Sequence, residues 1–288
     1  MKHKPIVGCM RWGAWGAKFT SIQYETIINQ CVEIGLTTFD HADIYGHYTT
    51  ETEFGKILKG NTHLRNKIQL ITKCGIQMLS PNRPTHAIKS YNTSAAHIIH
   101  SVEQSLVNFN TDFIDTLLIH RPDILLNVEE VADTICKLIE AGKIKSFGVS
   151  NFSPTQVELL AKNIPIAHHQ VEISLTNLSA FDDGILDQCQ IKQIEVQSWS
   201  PLGQNIYTEE NTRNTRILNQ AAILAEMYNA TINQILLAFL YMHPVNITPV
   251  IGTTKIDRIV ESKNAMQINL SREDFYKLWI ASTGEDIA

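Results

Sequence analysis

The middle of the chain repeats one unit, a helix followed by a short apolar strand. The helix predicted over 127–141 ends at Gly142, and the strand SFGVSNF begins at Ser146. A second helix, over 154–163, leads into the strand HHQVEIS, and a third, near 183–190, precedes EVQSWSPLG. Helices that alternate with short strands favour a parallel sheet, and their repetition favours a closed barrel. We therefore expect an α/β fold.

Reactive side chains end three apolar strands in the N-terminal part of the chain. The stretch TTFDHADIYG predicts a strand that stops at Asp40, with Tyr45 in the loop that follows. The strand QLITKCG carries Lys73 near its end, and TLLIHRPD runs into His120. Barrel enzymes collect their catalytic groups at the carboxyl ends of strands. We expect these four side chains to converge on one pocket.

The four residue types suit the reduction of a carbonyl group. A phenol has a pKa of about 10, so Tyr45 is a proton donor at neutral pH, and a nearby ammonium stabilises the phenolate that remains. Lys73 is the candidate ammonium, Asp40 would hold it charged, and His120 would hydrogen-bond the carbonyl oxygen. Taken alone, Tyr45 also suits a loop anchor, Lys73 a surface charge and Asp40 a cap. Their combination favours the catalytic interpretation.

The pattern Asp40-x-Ala42-x-x-Tyr45-Gly46, with Lys73 and His120, resembles the catalytic tetrad of the aldo-keto reductases. The similarity covers nearly the whole chain and is closest to bacterial members whose substrates are poorly defined. The resemblance implies a (β/α)8 TIM barrel, formed as a single domain by residues 1–288. It also implies NADPH bound without a Rossmann domain, and the chain contains no GxGxxG motif.

Polar residues at later strand ends are candidates for binding the nicotinamide. Ser, Asn and Gln supply the donors and acceptors that a carboxamide needs, and an aromatic face suits a flat ring. By the resemblance, Ser150, Asn151 and Gln170 bind the carboxamide and Trp199 stacks on the ring. The remaining predicted cofactor neighbours in this part of the site are Met10, Arg11, Ser200, Pro201, Leu202 and Gly203. The open alternative is that the strand-end residues only cap their strands.

The segment NITPVIGTTKIDRIVESKNAM predicts a strand followed by a helix that starts near Lys255 or Ile256. The amide groups and dipole of a helix N-terminus favour an anion. By the resemblance, Gly252, Thr253 and Thr254 hold the 2′-phosphoadenosine end, Arg258 faces the phosphate or the adenine, and Glu261 lies on the adenine side. For Arg258, a solvated helix charge is the alternative.

Two further segments carry structural expectations. The first strand is predicted over Lys4 to Met10, with too few residues before it for the N-terminal hairpin that usually plugs the barrel in aldo-keto reductases. The stretch from Ile76 to Thr93 contains Pro81 and Pro84 and little periodicity, so it is predicted to be a loop at the catalytic end. Loops at that end shape substrate pockets.

Composition limits the class of protein. A net charge of −5 without a basic block argues against a nucleic-acid partner. The five cysteines show no CxxC spacing and are expected to be free thiols in a reducing compartment. No apolar run of about 18 residues and no signal peptide are evident, so we expect a cytoplasmic protein without a membrane span. His97 and His100 have HxxH spacing but lack a third ligand nearby, so no metal is expected.

These observations predict an NADPH-dependent oxidoreductase that reduces small-molecule aldehydes or ketones, as a monomer or a weak dimer. One alternative is a catalytically weak protein on the same fold that senses the cofactor and interacts with partners. Another is a barrel lyase in which Lys73 forms a Schiff base, since an amine in a dry pocket can be nucleophilic. The second alternative leaves Ser150, Asn151, Gln170 and Gly252 without a role.

Overall fold

Short buried strands alternate with amphipathic helices along the chain, and the computed structural model describes residues 3–288. Most strands are rich in β-branched and other apolar residues, as strands covered by helices on one side and core on the other require. The strands are β1 (Ile6–Gly8), β2 (Thr38–Asp40), β3 (Gln69–Cys74), β4 (Ile76–Gln77), β5 (Ser90–Tyr91), β6 (Ile114–Ile119), β7 (Ile144–Ser150), β8 (His168–Glu172), β9 (Glu195–Trp199) and β10 (Thr248–Ile251).

Several helices begin at a capping side chain. Thr20, Ser153 and Thr231 each form a capping box with a glutamine three residues later, which satisfies amide groups at the helix start. The helices are α1 (Ser21–Glu33), α2 (Tyr45–Tyr48), α3 (Thr50–Leu58), α4 (Thr62–Lys67), α5 (Ala95–Phe109), α6 (Val128–Glu140), α7 (Pro154–Ala161), α8 (Ser179–Asp182), α9 (Ile185–Lys192), α10 (Thr212–Met227), α11 (Ile232–Tyr241), α12 (Ile256–Asn264) and α13 (Arg272–Thr283), with a 3₁₀ turn at Ala265–Gln267.

Eight of the strands form a closed barrel in the order β1-β10-β9-β8-β7-β6-β3-β2. Neighbouring strands pair in parallel; for example, Asp40 of β2 pairs with Ile71 of β3, and Lys73 of β3 pairs with Leu118 of β6. Parallel strands of this kind need crossover connections, which the intervening helices provide. The predicted (β/α)8 TIM barrel is therefore confirmed.

By its internal contacts the described chain divides into two compact units. The first unit contains residues 6–170 and 252–256, and the second contains residues 3–5, 171–251 and 257–288. In the first unit, Trp12 stacks on Phe54 beside Phe39, all fully buried. In the second, Phe239 of α11 stacks on Phe275 of α13 with ring centroids 4.5 Å apart. The prediction that residues 1–288 form one domain stays a prediction.

Several local predictions differ from the structure. The first strand is shorter than the predicted Lys4 to Met10, because β1 contains only Ile6–Gly8. The predicted loop from Ile76 to Thr93 contains the antiparallel pair of β4 and β5, whose backbone groups bond to each other across the loop. The sequence analysis assigned no helix to residues 212–241, where the structure has α10 and α11.

Two expectations about composition can be compared with the structure. All five cysteines are free, as predicted. Within residues 3–288 no single helix is long and apolar enough to cross a membrane; α10 and α11 pass that test only jointly, and they bend by 93° at their break.

Candidate active site

The Lys73 ammonium lies at the centre of a buried group of polar side chains in the first unit. Lys73 is in β3, next to β2, so its side chain meets the residues that end β2. Its Nζ donates to both carboxylate oxygens of Asp40 at 2.7 Å, to the carbonyl of His41 at 2.8 Å and to the hydroxyl of Tyr45 at 3.2 Å. Gln170 of β8 donates from Nε2 to Asp40 Oδ1 at 2.9 Å. The structure thus brings Asp40, Tyr45 and Lys73 together.

The charge of Lys73 is preserved despite its complete burial. Burial by itself lowers the pKa of Lys73, but the Asp40 carboxylate and the Tyr45 hydroxyl raise it, and the net shift is upward. Two opposite charges in direct contact account for this sign, because each stabilises the charged form of the other. Lys73 is therefore a cation at neutral pH. A Schiff-base lysine needs a neutral amine, so this environment disfavours the lyase alternative.

Tyr45 presents a protonated phenol at the same place. Burial raises the pKa of Tyr45 above 10, and the Lys73 ammonium opposes that rise only in part. The ring lies 6.0 Å from that of His120, at an interplanar angle of 77°, and 6.0 Å from the ring of Trp15. The phenol is therefore an acid whose conjugate base has a cation 3.2 Å away.

His120 follows β6 and is uncharged. Burial, followed by the positive charges of Lys73, Arg121 and Lys89, lowers its pKa well below 6.5. Its Nδ1 is buried and has no hydrogen-bond partner among the described residues. A neutral imidazole carries one N–H donor, which suits a hydrogen bond to a carbonyl oxygen.

The backbone that follows Tyr45 forms a left-handed turn of three residues. Gly46, His47 and Tyr48 have φ angles of 59°, 60° and 68°. Consecutive residues in this region are rare when they carry side chains, and such conformations cluster at functional sites. At Gly46 a Cβ atom would lie 2.5 Å from Thr50 Oγ1, so a larger residue does not fit.

This turn holds the loop between β3 and α5. The Tyr48 hydroxyl accepts from Met78 N at 2.9 Å, and the His47 carbonyl accepts from Asn82 Nδ2 at 2.8 Å. The Tyr48 ring also lies beneath the guanidinium of Arg83, whose Cζ is 4.5 Å from the ring centroid. The loop predicted to shape the substrate pocket is therefore attached to the second and third residues after Tyr45.

The predicted carboxamide-binding residues lie at the end of β7 and in the middle of β8, because β8 continues two residues beyond Gln170. Ser150 Oγ accepts from Asn151 Nδ2 at 2.7 Å and from Arg121 Nη1 at 3.3 Å. A hydroxyl oxygen has two lone pairs and one proton, so the proton of Ser150 remains for an acceptor elsewhere. Because Gln170 Nε2 donates to Asp40, the other end of its amide is a carbonyl acceptor. Ser150 and Gln170 thus have the donor and acceptor character that a carboxamide complements.

The other predicted cofactor neighbours of the first unit lie in two loops. Met10 and Arg11 are exposed in the turn after β1. Thr253 and Thr254 precede α12, and Thr253 Oγ1 accepts from Lys255 N at 3.2 Å. A Cβ atom on Gly252 would meet no atom within 4 Å, so this segment borders open space.

The second unit contains the remaining predicted cofactor residues. Trp199 ends β9, and Ser200, Pro201, Leu202 and Gly203 form the turn after it, closed by a bond of 2.8 Å from Gly203 N to the Ser200 carbonyl. Arg258 and Glu261 lie on α12. The Glu261 carboxylate accepts from the Thr231 hydroxyl and from Asn233 Nδ2 at 3.4 Å, contacts that the sequence did not suggest.

Arg121 is a functional candidate that the sequence reasoning missed. Its position directly after His120 was the available signal, because residues that follow a strand lie at the carboxyl end of a barrel, where functional groups collect. Nη1 of Arg121 donates to the His120 carbonyl at 3.0 Å as well as to Ser150. In the part of the chain that the structure describes, no group of three His, Cys, Asp or Glu side chains is placed to hold a metal ion.

Comparisons with known sequences agree with this geometry. The model of the Aldo/keto reductase family matches residues 6–281. The chain is 41% identical over 286 residues to the uncharacterized oxidoreductase YcsN of Bacillus subtilis, covering 98% of this chain and 95% of that protein. It is 37% identical to oxidoreductase YdhF of Escherichia coli, covering 98% and 94%. It is also 37% identical over 263 residues to the 6-dehydroglucose reductase of Agrobacterium fabrum, covering 91% and 88%.

Solved structures with the same fold come from more distant proteins. The thermostable aldo-keto reductase Tm1743, solved with the inhibitor epalrestat, superposes with a TM-score of 0.80 at 24% identity, over 96% of this chain and 94% of that chain. The aldo/keto reductase of Klebsiella pneumoniae, solved with NADP and acetate, superposes with a TM-score of 0.75 at 24% identity, over 96% and 89%. At this identity the similarity supports the barrel fold.

Proposed function

Since the chain belongs to the aldo/keto reductase family, we propose that it reduces aldehydes or ketones to alcohols with NADPH as hydride donor. The names of its relatives support an oxidoreductase, and one relative is named for reducing an oxidised sugar. The observation that carries the proposal is the buried contact of the Lys73 ammonium with Asp40 and Tyr45, because it creates an acid that can lose and regain a proton.

Each of the four central residues has a task in this proposal. Tyr45 donates its proton to the substrate oxygen, because its raised pKa keeps it protonated at neutral pH. Lys73 stabilises the phenolate that remains, and Asp40 keeps Lys73 charged and oriented. His120, held neutral, donates a hydrogen bond that fixes the same oxygen without adding a charge to the site.

The residues around the tetrad fit a nicotinamide cofactor. Bound NADPH supplies the hydride from C4 of its ring. Ser150 has a hydroxyl proton for the carboxamide oxygen, and Gln170 presents an amide oxygen toward which a carboxamide NH₂ can donate. The open space beside Gly252 and the hydroxyl of Thr253 at the start of α12 suit a phosphate. The Klebsiella pneumoniae protein, solved with NADP, supports the choice of cofactor.

The remaining cofactor assignments stay predictions. They are the ring contact of Trp199, the neighbours Met10, Arg11, Asn151 and Ser200, Pro201, Leu202 and Gly203, and the adenosine-phosphate contacts of Thr254, Arg258 and Glu261.

The Tyr45→Phe variant tests the proton donor. It removes one hydroxyl oxygen, so we expect turnover of a simple aldehyde to fall at least 100-fold, since general acid catalysis contributes about 10²–10⁴-fold. The affinity for NADPH, followed by quenching of tryptophan fluorescence, is expected to change little. Tyr91→Phe, at an exposed tyrosine of β5, is the matched control and should retain full activity.

Two results would contradict the proposal in different ways. Retained turnover in Tyr45→Phe would remove Tyr45 as the proton donor. Tight NADPH binding by the wild type without turnover of any of a broad set of carbonyl compounds would favour the cofactor-sensing alternative.

A further inference from the structure

The loops at the carboxyl ends of the strands in the first unit are basic, although the chain has a net charge of −5. Segments 9–20, 75–94, 120–127 and 252–255 contain the cations Arg11, Lys18, Arg83, Lys89, Arg121 and Lys255. The acids of these loops, together with segments 41–44 and 151–153, are Asp43 and Asp123. A cleft lined by one sign of charge raises the local concentration of the opposite charge.

Both of those acids already have structural contacts. Asp123 Oδ2 accepts from the Thr93 amide at 3.2 Å and from its hydroxyl at 3.0 Å, while Oδ1 accepts from Leu125 N at 2.9 Å. The Asp43 Oδ1 atom is fully buried, and burial raises the pKa of this carboxyl. Six cations against these two acids leave the strand ends of the first unit with an excess of positive charge.

Among these cations, Arg121 directly follows His120, and its guanidinium is fixed by hydrogen bonds. Bonds from Nη1 to the His120 carbonyl and to Ser150 Oγ hold the guanidinium between the ends of β6 and β7. Its charge lowers the pKa of both Tyr45 and His120, so its field reaches the two residues that would contact the carbonyl oxygen. The field of Lys89, exposed in the loop before β5, also reaches His120.

The cofactor does not account for Arg121. The reduced nicotinamide ring and its carboxamide are neutral, and the phosphates of NADPH are assigned to the start of α12. A guanidinium has five donors and binds carboxylate and phosphate groups well, and that of Arg121 is fixed between the ends of β6 and β7.

We propose that Arg121 binds an anionic group of the substrate, so that the enzyme prefers aldehydes and ketones that carry a carboxylate or a phosphate ester. This inference rests on the proposed carbonyl reduction. It identifies the substrate class by its charge, and it makes Arg121 a specificity residue beside the tetrad.

The test compares matched substrates with the NADPH-bound wild type. The carboxylate pair is 4-carboxybenzaldehyde and 4-formylbenzamide, which have nearly the same shape. The phosphate pair is 4-formylphenyl phosphate and 4-methoxybenzaldehyde. We expect kcat/KM to be about tenfold or more higher for the anionic member of at least one pair, and the pair with the larger ratio identifies the anion. Added salt should reduce that ratio, because it screens exposed charges.

Variants then locate the anion contact. Arg121→Gln should lower the anionic-to-neutral ratio of kcat/KM about tenfold, whereas Arg121→Lys should retain part of it. The ratio is the right readout because both substrates meet the same cofactor complex, so a change in NADPH binding through Ser150 cancels. Lys89→Gln should lower the ratio less. Lys162→Gln removes an exposed cation after α7, before β8 begins, and should leave the ratio unchanged.

The possible outcomes separate the inference from the proposed function. If the neutral aldehydes are reduced and the ratio in the wild type is near one, the inference is wrong while the reductase proposal stands. If the ratio is high but Arg121→Gln does not change it, the anion binds elsewhere and the role of Arg121 is wrong. If neither these four compounds nor a broad set of other carbonyl compounds is reduced, the proposed function fails and the inference fails with it.

Discussion

At the scale of single residues, Lys73 and Asp40 form a buried ion pair, and removing one of the two charges should destabilise the fold. Both side chains are almost completely buried, and their charges are compensated by each other. Lys73→Met leaves the Asp40 carboxylate without its ammonium, and we expect a loss of about 3–5 kcal/mol in the free energy of unfolding. Urea unfolding measures this loss. The double variant Lys73→Met with Asp40→Asn should recover much of it, because no buried charge remains unpaired.

If the double variant is no more stable than Lys73→Met, the loss comes from packing and the electrostatic explanation is wrong. The matched surface pair is Lys56 with Glu53, which also lies within 2.7 Å but is partly exposed. Lys56→Met should change stability by less than about 1 kcal/mol.

The types of the side chains in the candidate site and their places at or near strand ends were predictable, because a strand ending in a charged residue is a local signal. Their contacts were not. The bond from Lys73 to the His41 carbonyl depends on the register of β2 against β3, and the bond from Gln170 to Asp40 joins residues 130 positions apart. A single sequence does not specify either relation.

At the scale of elements, α3 packs closely against α5 in the first unit. A Cβ atom on Gly55 would lie 1.9 Å from the Asn108 carbonyl oxygen and 2.6 Å from Phe109 Cα, which are both backbone atoms. Gly55→Ala should therefore destabilise the protein by about 1–3 kcal/mol through overpacking. The sign of the stability change is diagnostic, because replacing glycine by alanine within a helix normally stabilises it by about 1 kcal/mol.

Thermal unfolding of Gly55→Ala would show the effect, with Lys56→Ala, the next residue of α3, as the control near zero. An increase in stability for Gly55→Ala would mean that the two helices are not in backbone contact. Both α3 and α5 bury residues at helical spacing, which is the kind of pattern that makes a helix predictable from sequence. The sequence did not predict β4 and β5, because strands of two residues have too little pattern to detect.

At the scale of the whole molecule, buried histidines make the stability depend on pH. Burial, the main cause, lowers the pKa of His41 to about 3 and that of His169 to about 4. Both values lie below the pKa of about 6.5 that a histidine has in the unfolded chain. As the pH falls, the unfolded chain therefore takes up protons before the folded protein does. The folded protein loses stability as the pH falls from about 6.5 toward these values. Each histidine should cost about 2 kcal/mol between pH 7 and pH 5.

His41→Leu should remove one of these contributions, so the variant should lose about 2 kcal/mol less than the wild type over that pH range. Asp43 and Glu51, whose pKa values burial raises, act with the opposite sign, and the difference between variant and wild type isolates His41. Ile28→Val, a fully buried control, should lower stability equally at both pH values. Equal pH dependence in His41→Leu and the wild type would refute the histidine explanation.

The barrel itself was predictable at this scale, because helix and strand signals alternate through most of the chain. No helix was predicted in the region of α10 and α11. The first of these helices ends in a turn at Tyr228. The second is buried along nearly its whole length, so its apolar residues occupy all sides and hide the helical period. The cytoplasmic location and the oligomeric state stay predictions.

The left-handed turn at Gly46–Tyr48 has a consequence for attempts to exchange specificity between related reductases. The loop between β3 and α5 depends on the Tyr48 hydroxyl and the His47 carbonyl for its shape. If the loop is taken from a homologue but the homologue's turn is not, the transplanted loop loses those hydrogen bonds and becomes mobile. The two segments, 30 residues apart at the bond between Tyr48 and Met78, therefore form a single exchangeable module, and recombination within the family should preserve them as a pair.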